Sequence, residues 1–176
     1  VIFNENEYTL EKITFHLPSQ HMVDGNEYPM EVNLHHKSNT FEKLIISIFV
    51  TTYGKNNKSQ NEFSKIIRNL PKDKNKRINS KTTWDVNNII PKYNTFYNYN
   101  GSLPYPPCNR NYIYILYQNT VVISNNDYHI LKSKVYNNVR RPVANIGNRV
   151  IYYSNNNDKD EKKHKKQMRC RLVKDR

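Results

Sequence analysis

The chain has 176 residues, enough for one domain with a real core. Hydrophobic residues make up 36% and mean hydropathy is −0.91, and no apolar run reaches the 18 or so residues that a membrane-spanning helix needs. The net charge of +13 would suit a nucleic-acid partner, but it sits in two stretches: 55–81 carries nine Lys/Arg against two acids, and 158–176 nine against four.

In chain order, residues 7–17 alternate as a strand that Pro18 ends. Tyr8, Leu10, Lys12, Thr14 and His16 fall on one face, and Ile13, Phe15 and Leu17 on the other. The start carries no basic segment followed by an apolar one, so no signal peptide is expected. Asp24-Gly25 is a hairpin-type turn signal. Residues 28–36 read as the returning strand, with Glu31, Asn33 and His35 on one face and Val32, Leu34 and His36 on the other. Leu44 to Thr52 is almost wholly apolar, the mark of a strand buried on both faces. Phe63, Ile66, Ile67 and Leu70 have helical spacing, which predicts a helix over 59–70 stopped by Pro71.

The Lys-rich stretch 72–81 reads as a loop. Tyr112 to Ile123 alternates as a strand pair, and Ser124 to Leu131 as a capped helical turn. Residues 154–176 are polar and expected to be disordered. Basic charge in an insert and a tail is usually solvated, and 158–176 has no aromatic residue to stack on bases. A nucleic-acid partner is therefore not expected. Cys108 and Cys170 form neither a metal spacing nor a disulfide framework.

Several segments follow one another in a recognisable order. They are Tyr8-Thr-Leu-Glu-Lys-Ile-Thr-Phe-His16, Ser19-Gln-His21-Met-Val-Asp-Gly25, Tyr28-Pro-Met-Glu31-Val-Asn33-Leu-His35-His36, Tyr99-Asn-Gly-Ser-Leu103-Pro-Tyr-Pro-Pro-Cys108, and Arg141-Pro142 with Asn148-Arg-Val150. Together they resemble the alpha-type carbonic anhydrases over about residues 7–153. The resemblance implies a mostly β domain with short helices, built on a central mixed, largely antiparallel twisted sheet. It begins late in the family domain, so 1–153 is expected to correspond to its C-terminal two-thirds and 154–176 to a basic tail. A cysteine at the position of Cys108 pairs, in secreted relatives, with one nearer the N-terminus, and no such partner lies upstream here.

The family's chemistry needs zinc held by three imidazoles with one open position, where bound water ionises near neutrality. The resemblance puts the three ligand positions at Thr14, His16 and Asn33, so one imidazole is kept. Asn33 echoes the amide ligand of the divergent eta class, one methylene shorter, and His35, two residues on, shares its face. The expected metal set is therefore His16, Asn33 and His35, with Gln20 an alternative, and the expected cofactor zinc. Glu31 matches the carboxylate that orients the third ligand, and His21 and Tyr99 match buttressing positions. Gln20 replaces a glutamate and Pro104 the threonine that together gate the zinc-bound oxygen. Leu103, Ile45, Tyr112 and Tyr114 match or replace residues of the CO2 pocket. Gln20, Glu31 and Leu103 are thus the expected catalytic set.

Two functions follow from the resemblance. One is hydration of CO2 to bicarbonate, with anions or sulfonamides as inhibitors and His129 or His164 as a proton shuttle. The other is a catalytically inactive domain that keeps the fold for binding or scaffolding.

Overall fold

The computed structural model describes residues 1–73, 76–93, 95–135, 142–154 and 171–172. Its strands are β1 (Ile2–Phe3), β2 (Asn6–His16), β3 (Met22–Val23), β4 (Asn26–Glu27), β5 (Met30–Ser38), β6 (Lys43–Thr51), β7 (Phe96–Ser102), β8 (Arg110–Tyr117), β9 (Val121–Val122), β10 (Ile151–Ser154) and β11 (Arg171–Leu172). Two helices, α1 (Asn57–Arg68) and α2 (Asn125–Lys134), and a 3-10 turn at Val86–Ile89 complete it. The main sheet runs β1-β2-β5-β6-β8-β7-β10-β11, with β9 extending alongside β6; β6 pairs in parallel with β8 and β9 and the other pairings are antiparallel. A mixed, largely antiparallel sheet with short helices is the architecture expected.

Local chemistry accounts for the elements. Asp24 and Gly25 both have positive φ, 51° and 74°, as a two-residue hairpin turn between β3 and β4 requires. The Asn56 side chain caps α1 by accepting from the Ser59 N–H, and Ser124 caps α2 by accepting from the Asp127 N–H. Strand β6 is buried through Leu44–Val50, between β5 on one side and β8 and β9 on the other.

The sheet has two different faces. One carries Val32, Leu34, Leu44, Ile46, Ile48 and Ile115 into the main core with Phe63 and Ile67 of α1 and Leu131 of α2. The opposite face holds a smaller cluster, Ile45, Leu103, Tyr112 and Tyr114, with Tyr99 and Tyr105 packed against it. Directly paired residues share a face, so two cross-strand rows run over this second face. One is Lys12–His35–Ile45–Tyr114–Tyr99–Ile151 and the next is Thr14–Asn33–Ser47–Leu116–Tyr97–Tyr153.

Two expectations need correction. Tyr8 and Leu10 do not share a face with Lys12, Thr14 and His16. A β-bulge between Leu10 and Lys12 leaves Glu11 unpaired, so Leu10 opposes His36 while Lys12 opposes His35. Tyr8 accordingly enters the main core. Residues 112–123 do not form a strand pair either, because β8 and β9 each pair with β6. Most of the basic tail, 155–170 and 173–176, lies outside the described residues, as do Arg141 and His164; Tyr152 and Tyr153 of β10 pair with Leu172 and Arg171.

Candidate metal centre and its surroundings

The alternation of β2 beyond the bulge and of β5 brings Thr14, His16, Asn33 and His35 together on the second face. The Thr14 hydroxyl lies 3.0 Å from His16 Nε2 and 3.0 Å from His35 Nε2. Gln20 Nε2 lies 2.7 Å from His16 Nδ1. An amide nitrogen can only donate, so His16 Nδ1 accepts and the ring carries its proton on Nε2. His16 then donates to the Thr14 oxygen, and the single Thr14 proton goes to His35 Nε2. His35 in turn carries its own proton on Nδ1. The result is a directional chain, Gln20 to His16 to Thr14 to His35, built from neutral groups. Burial keeps both rings neutral: it pushes His16 below the usual imidazole value and His35 down to about 4, where the Lys12 charge adds to the effect.

Asn33 is 1% exposed, and its Oδ1 accepts a 2.6 Å hydrogen bond from Ser47 on β6. Lys12 reaches across the site face to donate to the Tyr105 hydroxyl at 2.8 Å, with its ammonium 5.2 Å from that ring.

Beneath these residues lies Glu31, fully buried. Its Oε2 accepts from the backbone N–H groups of Gln20 and His21, both at 2.9 Å, and its Oε1 accepts from His21 Nδ1 at 2.9 Å. Burial alone would raise the carboxyl, but the electrostatic field of the facing His21 and the hydrogen bonds from its ring and backbone outweigh it and hold Glu31 below the usual carboxylate range. With His21 donating through Nδ1, its Nε2 accepts from the Tyr99 hydroxyl at 2.5 Å. Burial raises the Tyr99 phenol well above its ordinary value, so it keeps that proton. Tyr99 stacks on Tyr114 at 5.1 Å and 11°, and Gly101 makes room for the pair: a Cβ there would meet both rings at 2.8–2.9 Å.

The donor set does not match the three-imidazole set of the family. Zinc needs its ligands near 2.0–2.1 Å from one point, yet the two imidazole nitrogens here are bridged by a neutral hydroxyl. The Asn33 oxygen is already held by Ser47. No group of three or more His, Cys, Asp or Glu among the described residues could hold a metal. The residues present therefore do not fit the family's zinc centre. Pro104, at the gate position, has no hydroxyl or N–H to offer.

The expected residues are thus gathered in one region: Gln20 and Glu31 contact the ligand-position histidine and its neighbour, and Leu103 belongs to the small cluster at Ile45. His129 sits exposed on α2, against the other face of the sheet. Ser47, Lys12 and Tyr105 contribute without a motif to mark them. Ser47 did carry a signal, since it is the one polar residue inside the buried run Leu44–Val50, and a buried hydroxyl needs a partner.

A cavity of about 400 Å³ adjoins Asn33. Gln20, His21, Asn33, Tyr97, Tyr99 and Leu116 line it together with the 142–151 segment.

Comparison with known proteins identifies the fold and the family. The profile of the eukaryotic-type carbonic anhydrase family matches residues 2–155. A carbonic anhydrase of Klebsiella pneumoniae is 24% identical over 144 residues, covering 82% of this chain and 57% of its own length. The alpha-carbonic anhydrase of Thermovibrio ammonificans, in complex with the inhibitor sulfanilamide, superposes with a TM-score of 0.78 at 23% identity, over 85% of this chain and 65% of its own. Dioscorin, in a crystal structure with ascorbate, superposes with a TM-score of 0.73 at 25% identity, over 86% of this chain and 64% of its own. The chain spans less than two-thirds of each of these relatives. It belongs to the eukaryotic-type carbonic anhydrase family.

Proposed function

We propose that this chain is a carbonic-anhydrase-fold domain that has given up zinc-hydroxide chemistry and serves as a binding domain. One observation carries the reading: the Thr14 hydroxyl bridges the Nε2 atoms of His16 and His35 at 3.0 Å each. Those nitrogens, the ones a metal would use, are spent on a hydrogen-bonded chain. The proline at the gate position supports the same reading. That a protein of this fold, dioscorin, has been crystallised with ascorbate supports ligand binding as a use of the architecture.

The rival reading is CO2 hydration at a divergent zinc site of His16, Asn33 and His35, similar to the eta class and sensitive to sulfonamides. It is favoured by the convergence of two imidazoles on one point. Elemental analysis after dialysis against zinc, then buffer, separates the two. The binding-domain reading expects zinc at background and no acceleration of CO2 hydration in stopped-flow. Retention of about one zinc per chain, lost on His16→Ala, together with hydratase activity, would overturn it.

A further inference from the structure

The cavity beside Asn33 is built around two unanswered hydrogen-bonding groups. Asn33 is 1% exposed, and Ser47 fixes its amide by donating to Oδ1; among the described residues its Nδ2 has no hydrogen-bond partner. Gln20 is fixed in the same way from the other end. Its Nε2 is engaged with His16 Nδ1 and its backbone N–H with Glu31, which leaves Oε1 without a partner among the described residues. Both residues line the cavity. It therefore presents one oriented N–H donor and one oriented carbonyl acceptor, with Tyr97, Tyr99, Leu116 and Ile151 as walls.

We propose that this cavity recognises an amide group carried on an apolar or aromatic body. An amide supplies the complement, a carbonyl for Asn33 Nδ2 and an N–H for Gln20 Oε1. A carboxylate does not, because Gln20 Oε1 would face a second acceptor. The cationic residue of the lining, Arg149, is exposed and donates to its own loop at the Ile146 and Asn145 carbonyls. A volume of about 400 Å³ is at the small end of ligand sites and suits a single ring or a short stretch of polypeptide. Thr14, His16 and His35 do not line the cavity, which meets their hydrogen-bonded chain only through Gln20. The proposal deepens the binding-domain reading and rests on it.

The amide could belong to a small aromatic carboxamide or to a peptide bond, and three probes separate these sources. Benzamide, benzoate and N-acetyl-phenylalanine N′-methylamide are titrated into the full chain in EDTA, followed by amide NMR. Perturbation of the Asn33 side-chain NH2 by benzamide, with benzoate at least tenfold weaker, assigns a small carboxamide. Perturbation by the blocked phenylalanine amide alone assigns a peptide segment. In either case Asn33→Leu and Gln20→Met each weaken the probe about tenfold, the worth of one hydrogen bond. If one variant fails to fold, the other gives the answer. Benzoate binding as tightly as benzamide, affinity unchanged in a folded variant, or no perturbation by any probe at tens of millimolar would overturn the proposal. Zinc content of the same sample is read separately, so failure of the binding-domain reading is distinguishable from failure of this one.

Discussion

Replacing Glu31 should be the most damaging single change near the site. The carboxylate is fully buried and accepts three hydrogen bonds at 2.9 Å, from the Gln20 and His21 backbone N–H groups and from His21 Nδ1. Glu31→Ala leaves two backbone donors and an imidazole N–H unanswered in the interior. Removing one member of such a buried network costs about 3–5 kcal/mol. Glu31→Gln keeps the shape: its oxygen can take the two backbone donors, and its NH2 can face His21 Nδ1 once that ring changes tautomer. It should lose only about 1–2 kcal/mol. The pH dependence follows from the depressed carboxyl. Its contribution is present above the unfolded carboxylate value of about 4.3 and is lost as pH falls through the lower folded value. Urea denaturation of the three proteins at pH 7, and of wild type and Glu31→Gln at a series of pH values below 5, tests this. A cost for Glu31→Ala under about 1 kcal/mol, or identical acid slopes for wild type and Glu31→Gln, would refute the reasoning.

Three other outcomes are expected. The double substitution Thr14→His with Asn33→His places imidazoles on two directly paired residues beside His16, and should bind about one zinc per chain by elemental analysis, where the binding-domain reading expects background zinc for the wild type. Gly101→Ala puts a Cβ at 2.8–2.9 Å from the stacked Tyr99 and Tyr114 rings; it should destabilise by about 1–3 kcal/mol and change the near-ultraviolet dichroism of the tyrosines. His35, held down to about 4, binds its proton in the unfolded chain first, so its share of stability is lost as pH falls from about 6.5 to 4. His35→Val should flatten the stability profile in that window.

The strands, helices and turns were legible because their signals are local. Pro18, the Asp24-Gly25 turn, the apolar run of β6 and the cap at Ser124 act within a few residues of themselves. Motif order revealed the family, and alternation placed Glu31, Asn33 and His35 on one face. The bridging role of Thr14 was not legible, because it depends on the distance from His35 on one strand to His16 on another. Nor was the bond from Ser47 to Asn33, which crosses between strands fourteen residues apart in sequence. The bulge at Glu11 escaped as well: alternation assumes a strand in one phase, and a bulge is set by the partner strand. Residues 112–123 failed for a related reason, since hydropathy reports which residues are buried but not which strand they pair with.

The bulge also makes the residues of β2 unequal under deletion. On one side of it Leu10 opposes His36, and on the other Lys12 opposes His35, with Glu11 facing no partner. Excising Glu11 would leave every existing pairing in place and simply straighten the strand. Excising Phe15 instead would shift by one step either His16 or the stretch Lys12 to Thr14, and so turn His16 or Thr14 to the opposite side. A one-residue excision at Glu11 is therefore neutral to the chemistry of the site, whereas the same excision at Phe15 would dismantle it.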